Sequence, residues 1–87
     1  MTMHTNIELP SDGSMVDLYL ETGVSRGTEL RWQNLSNLAV SGYVDDTAPV
    51  DKTKFARLMP GERISAKDSQ YVVVWAKGGA EIHVESV

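Results

Sequence analysis

Apolar and polar residues alternate along most of the chain, at the period of two that marks half-buried strands. Val16, Leu18 and Leu20 alternate with Asp17, Tyr19 and Glu21, and the run ends at Thr22-Gly23. Residues 29–34 repeat the pattern with Leu30 and Trp32 inward. Asn34 and Asn37 bracket Leu35-Ser36 in a tight connection, because Asn and Ser side chains bond to nearby backbone. Residues 38–44 form a third strand with Leu38, Val40 and Val44 on one side, and Gly42 marks a bulge or a close approach. The longest irregular stretch, 45–54, follows. Residues 55–58 and 63–66 are short strands separated by Pro60-Gly61, which suit the central positions of a type II turn.

The last run is the most apolar. Residues 71–76 and 81–85 read as the arms of a β-hairpin turning at Lys77-Gly78-Gly79-Ala80, since primed turns need the positive φ that glycine supplies cheaply. With Gly78 and Gly79 as the loop, Trp75 faces Ile82 and Val73 faces Val84. Tyr71, Val73, Trp75, Ile82 and Val84 then share the core face. Val72, Val74 and Ala76 fall on the opposite face, beside Glu81, His83 and Glu85.

No segment runs at a helical period. Six or seven short strands with turn signals between them predict an all-β chain, a small antiparallel β-sandwich or barrel, jelly-roll-like. Residues 1–14 are polar apart from Ile7 and Leu9 and end in a cluster of turn formers. They read as a flexible N-terminal arm ahead of a single domain over 15–87. Such an arm either frays or pairs through Ile7 and Leu9 with a neighbouring subunit.

Composition narrows the options. A chain of 87 residues is one domain, and at this size about 60% of the unfolded surface is buried. It has no cysteine, so disulfides, thiolate metal sites and a Cys nucleophile are excluded. The net charge of −4, with basic residues scattered, argues against a nucleic-acid surface. No run approaches the roughly 18 apolar residues of a membrane span, and the N-terminus lacks a signal peptide's basic and apolar regions. A soluble protein made in a cytoplasm is expected. In so small a chain, a strand apolar on both faces asks for cover from outside. Val72, Val74 and Ala76, with His83 at the rim and Ile7 and Leu9 from the arm, are the candidate interface of a homo-oligomer, most simply a closed ring such as a trimer.

Chemistry is sparse. His83 has Glu81 and Glu85 at i±2, a pattern open to metal or acid–base use, but one His is too few for most sites and a polar strand face is the simpler reading. Asp45, Asp46 and Asp51 could offer oxygen ligands to calcium but lack the spacing of a calcium loop, so a solvated loop is preferred. The G-x-S-x-G motif is absent, and residues 23–27 are too glycine-poor to cradle phosphate. No catalytic, cofactor-binding or metal residue is assigned, and an enzyme is not expected. Trp32 and Trp75 fall inward as core. Tyr19 and Tyr43 fall outward as candidate surface aromatics on which a sugar could stack.

Several stretches set a resemblance: residues 16–19, 22–24, 27–30, 33–36, Ala48-Pro49, 58–62 and 74–78. Their order over roughly 7–87 resembles small virion accessory proteins of tailed bacteriophages. The resemblance implies a non-enzymatic β-sandwich that decorates the capsid or sits at head, neck or tail junctions. It further implies synthesis in the bacterial host cytoplasm, localisation to the virion, and other capsid or tail proteins as partners. The alternative is a carbohydrate-binding or adhesion module on the same particle. A third reading is a host-directed inhibitor.

Overall fold

The computed structural model describes residues 3–50, 55–67 and 69–86. Its elements are β1 (His4–Leu9), β2 (Val16–Asp17), α1 (Leu18–Thr22), β3 (Leu30–Asn34), β4 (Val40–Asp45), β5 (Ala56–Leu58), β6 (Arg63–Ala66), β7 (Tyr71–Trp75) and β8 (Ala80–Ser86). They form two four-stranded antiparallel sheets, ordered β1-β8-β3-β6 and β2-β7-β4-β5. Successive strands alternate between the two sheets except for β4 and β5, which are neighbours in one, and this strand order is the double Greek key of a jelly roll. The fold class expected from alternation is the one observed, with eight described strands instead of six or seven.

Between the sheets lies one core. Val72, Val74 and Ala76 from β7 and its end meet Leu18, Leu30, Trp32, Val40, Ile82 and Val84. The hairpin reading is therefore corrected. Tyr71–Trp75 pairs with β2 and β4, and Ala80–Ser86 pairs with β1 and β3, so the two arms belong to different sheets. Gly78 and Gly79 do take positive φ, 94° and 84°. Their turn, closed by Gly79 N–H donating to Ala76 O at 3.0 Å, carries the chain across the sandwich. The faces invert in consequence. Val72, Val74 and Ala76 are core, while Val73 and Trp75 lie on the outside of the second sheet with Tyr43 and Tyr71.

The arm is a strand. Six residues of β1 pair in register with β8, from His4 opposite Glu85 to Leu9 opposite Ala80. Leu9 is buried in the core, and Ile7 packs half-buried against it. Past β1, Ser11 O accepts the Gly78 N–H at 2.9 Å, which closes the β1/β2 side of the sandwich.

The strand expected over 16–21 is mostly a helical turn. The Asp17 carboxylate accepts the N–H of Tyr19 and Leu20 as an N-cap, and Gly23, at φ 75°, ends the turn. Leu18 and Tyr19 are buried, but Leu20 points out. Alternation cannot reveal this, because local side-chain bonding from Asp17 outweighs two-residue periodicity over so short a run. Elsewhere the local chemistry stands. Leu30 and Trp32 face inward, and Gly61 at φ 84° lets Glu62 N–H donate to Met59 O at 3.0 Å across Pro60-Gly61. Asn34 is wholly buried and fully used: Nδ2 donates to Leu38 O and Leu58 O, and Oδ1 accepts from Ser36 N and Oγ. On the third strand Val40 is buried, while Leu38 and Val44 are exposed near its ends.

Candidate functional site

β5 and β6 are the edge strands on the side opposite β1 and β2. A cavity of about 330 Å³ opens there, lined by Trp32, Gly42, Tyr43, Val44, Asp45, Phe55, Ala56, Leu58 and Ile64. Backbone register explains the hollow. Gly42 on β4 stands opposite Ala56 on β5, so two of the smallest side chains meet where larger ones would fill the space. Trp32 reaches across from β3 into the gap: a Cβ at Gly42 would stand 2.6 Å from Trp32 Cζ2. Gly42 thus marks a close approach, as its place in mid-strand suggested, and the approach is by an indole.

The lining is apolar and aromatic with one charged residue, Asp45. Asp45 Oδ1 accepts the Asp46 N–H at 2.6 Å. The Tyr43 hydroxyl donates to Thr47 O at 2.6 Å, which ties the start of the β4–β5 connection to the ring. Phe55 meets Trp75 edge-on at 5.7 Å and is still 45% exposed. The buried Trp32 Nε1–H finds no acceptor among the described residues. An unpaired buried donor costs about 1–3 kcal/mol, so the ring is held there by packing against Gly42 in spite of its polar atom.

Of the candidate interface and surface-aromatic residues singled out from sequence, Tyr43 lines this cavity and the others lie elsewhere. Val72, Val74 and Ala76 are covered by the opposite sheet of the same chain, and Leu9 is core, so none of the four is a free interface. Ile7 is half-buried within the chain. His83 is half-buried on the outside of the first sheet, its Nδ1 2.7 Å from Asn6 Oδ1 and its ring 6.0 Å from that of His4. Tyr19 and Tyr43 are not surface aromatics, being only 2% and 7% exposed. Burial pushes the Tyr19 hydroxyl above the usual tyrosine range, and its one proton is donated chiefly to Thr28 O at 2.6 Å, with Ser69 O sharing it at 3.1 Å. Among the described residues no three of His, Asp and Glu stand close enough to hold a metal ion, and Asp51 lies outside them. No described helix is long and apolar enough to cross a membrane. Of the cavity residues, sequence reasoning noticed Gly42 for its backbone, Asp45 for its charge, Tyr43 as a surface ring and Trp32 as core. The signal that could have united them is the pair of small residues, Gly42 and Ala56, on neighbouring strands.

Fold and cavity together define a class: an eight-stranded jelly roll with an open, largely apolar hollow between its edge strands. No family model and no curated protein matches the sequence. Solved structures do match in fold. The cupin-2 domain of an XRE family transcriptional regulator from Enterobacter cloacae is similar at TM-score 0.67 and 11% identity, over 98% of this chain and 79% of that one. A cupin-2 domain containing protein from Shewanella frigidimarina is similar at TM-score 0.63 and 8% identity, over 97% and 68%. An HTH_3 family transcriptional regulator from Vibrio cholerae is similar at TM-score 0.68 and 14% identity, over 99% of this chain but only 42% of that one. At such identities the likeness is one of fold. It overturns the expectation of a bacteriophage particle component, and of a virion glycan-binding module as its alternative, because these three similar folds belong to cupin-2 domains and transcriptional regulators.

Proposed function

We propose that this chain is a non-enzymatic small-molecule-binding domain of regulatory type, with the hollow between β5 and β6 as its ligand site. The cavity carries the reading. Its volume of about 330 Å³ lies within the range of natural ligand pockets, which are concave, mainly apolar and often placed at barrel mouths. An engineered apolar cavity of about 150 Å³ already holds benzene, so this one has room for a molecule of one or two rings. Its lining supplies aromatic and aliphatic surface with one carboxylate, suited to holding a molecule more than to transforming it. The regulators and cupin domains that share the fold support the regulatory half of the proposal.

Ala56→Trp tests it, because the new ring would occupy the hollow from an exposed position on β5. A panel of one- and two-ring molecules is screened by thermal unfolding against both proteins. A ligand at 100 times its Kd adds about 2.7 kcal/mol, which in a domain of this size raises Tm by upward of about 10 °C. Hits on the wild type that vanish in a folded Ala56→Trp protein are expected. No hit, or equal shifts in both proteins, would sink the proposal.

A further inference from the structure

Granted the hollow as the ligand site, a reading on which this inference rests, its charge asymmetry narrows the class of ligand. Among the nine lining residues eight are uncharged and the ninth is Asp45, an exposed carboxylate at the end of β4. No described cation pairs with it, the two ion pairs among described residues being Arg26–Asp17 and Arg31–Glu29. Three aromatic residues, Trp32, Tyr43 and Phe55, line the same hollow. Aromatic faces attract cations and do not attract anions. The carboxylate therefore sets the sign, and any ring face presented to the ligand favours the same one. We infer that the cavity takes organic amines in their protonated form, a small apolar or aromatic body entering between β5 and β6 with its ammonium group directed to Asp45, and that it discriminates against carboxylates of the same frame.

The size of the preference follows from exposure. An ion pair at a solvent-exposed carboxylate is worth little alone, and an exposed cation–π contact adds a comparable amount, so together about a tenfold gain in affinity is expected. Added salt should shrink the gain, since the carboxylate is open to screening ions.

Three probes of one frame make the test: phenethylamine, 2-phenylethanol and phenylacetate, measured by isothermal titration calorimetry at low ionic strength against wild type and Asp45→Asn. Expected is an amine-to-alcohol affinity ratio of about ten in the wild type, falling with added salt and collapsing towards one in Asp45→Asn, with phenylacetate the weakest wild-type ligand. A wild-type ratio near one, a ratio that survives Asp45→Asn, or phenylacetate binding as well as the amine would overturn the inference. Should none of the three bind while other ring molecules still give hits that Ala56→Trp abolishes, the amine preference falls and the cavity reading stands. Should that panel be empty as well, both fall.

Discussion

Val72, Val74 and Ala76 on one face of β7 pack against Leu18, Ile82 and Val84, whereas Tyr71, Val73 and Trp75 on the other face meet Tyr43, Phe55 and Arg26. The inner face is closed by a whole second sheet, brought up from distant parts of the chain. The outer face is closed by side chains of its own sheet, by the edge-on contact of Phe55 with Trp75, and by the Arg26 guanidinium 4.5 Å above the Tyr71 ring. Apolar content alone does not separate the two faces. What differs is the depth of cover, and with it the tolerance to change.

Breaking the inner face should have the largest effect. Val74→Asp would bury an unpaired carboxylate between the sheets at a cost of several kcal/mol, comparable with the whole stability of a small domain. The variant is expected to lose its cooperative urea transition. A folded Val74→Asp protein would show that this face meets water or a partner instead.

Next comes the contact of Trp32 with Gly42, still on the inner side. Gly42→Val must displace an indole that stands only 2.6 Å from where the new Cβ would lie, and overpacking of this kind costs about 1–3 kcal/mol. Chemical denaturation measures it. In a double-mutant cycle, Trp32→Phe with Gly42→Ala should be less destabilising than the sum of the singles, because the shorter ring frees the space that the methyl group takes. Strict additivity would show that the two positions do not compete for the same volume.

On the outer face, Phe55→Ala removes a ring that is still 45% exposed, and about 1 kcal/mol of stability should go with it. A loss as large as that of Gly42→Val would mean that the two faces are equally deep.

The smallest effect is a pH dependence. The Tyr19 hydroxyl, raised by burial, stays protonated in the folded chain at a pH where the unfolded chain has begun to ionise near pH 10. The folded state then binds more protons, so stability falls as pH rises through that region and is unaffected below it. Unfolding of Tyr19→Phe followed between pH 8 and 11 should lack this part of the alkaline loss. An unchanged alkaline slope would assign it to other groups.

Much of this molecule could be read locally. The Pro60-Gly61 turn, the Asn34–Ser36 bonding, the inward Leu30 and Trp32 and the positive φ at Gly78 and Gly79 each follow from a few neighbouring residues whose backbone or side-chain chemistry leaves few options. The candidate site was visible only in fragments. Trp32, Gly42, Ala56 and Ile64 come from four strands, and nothing in their spacing announces that β4 sets Gly42 beside Ala56.

The amino-acid pattern by itself thus determined an all-β chain, most of the places where it turns, and most of its strands, though not β1 or the helical turn at Leu18–Thr22, because period-two alternation and turn chemistry act over two to four residues. Only the tertiary structure decided which strands pair, and that decision reversed the faces of β7. Residues 71–76 and 80–86 have the look of a hairpin, but pairing them would compete with β4 and β3 for the same backbone donors and acceptors. In the jelly roll β7 and β8 instead each pair on both sides within their own sheets, and Val74 and Ile82 share the core between them. The cavity is a consequence of that same choice, since it lies where the two sheets part beside Gly42 and Ala56, a space that exists only once both sheets are in place.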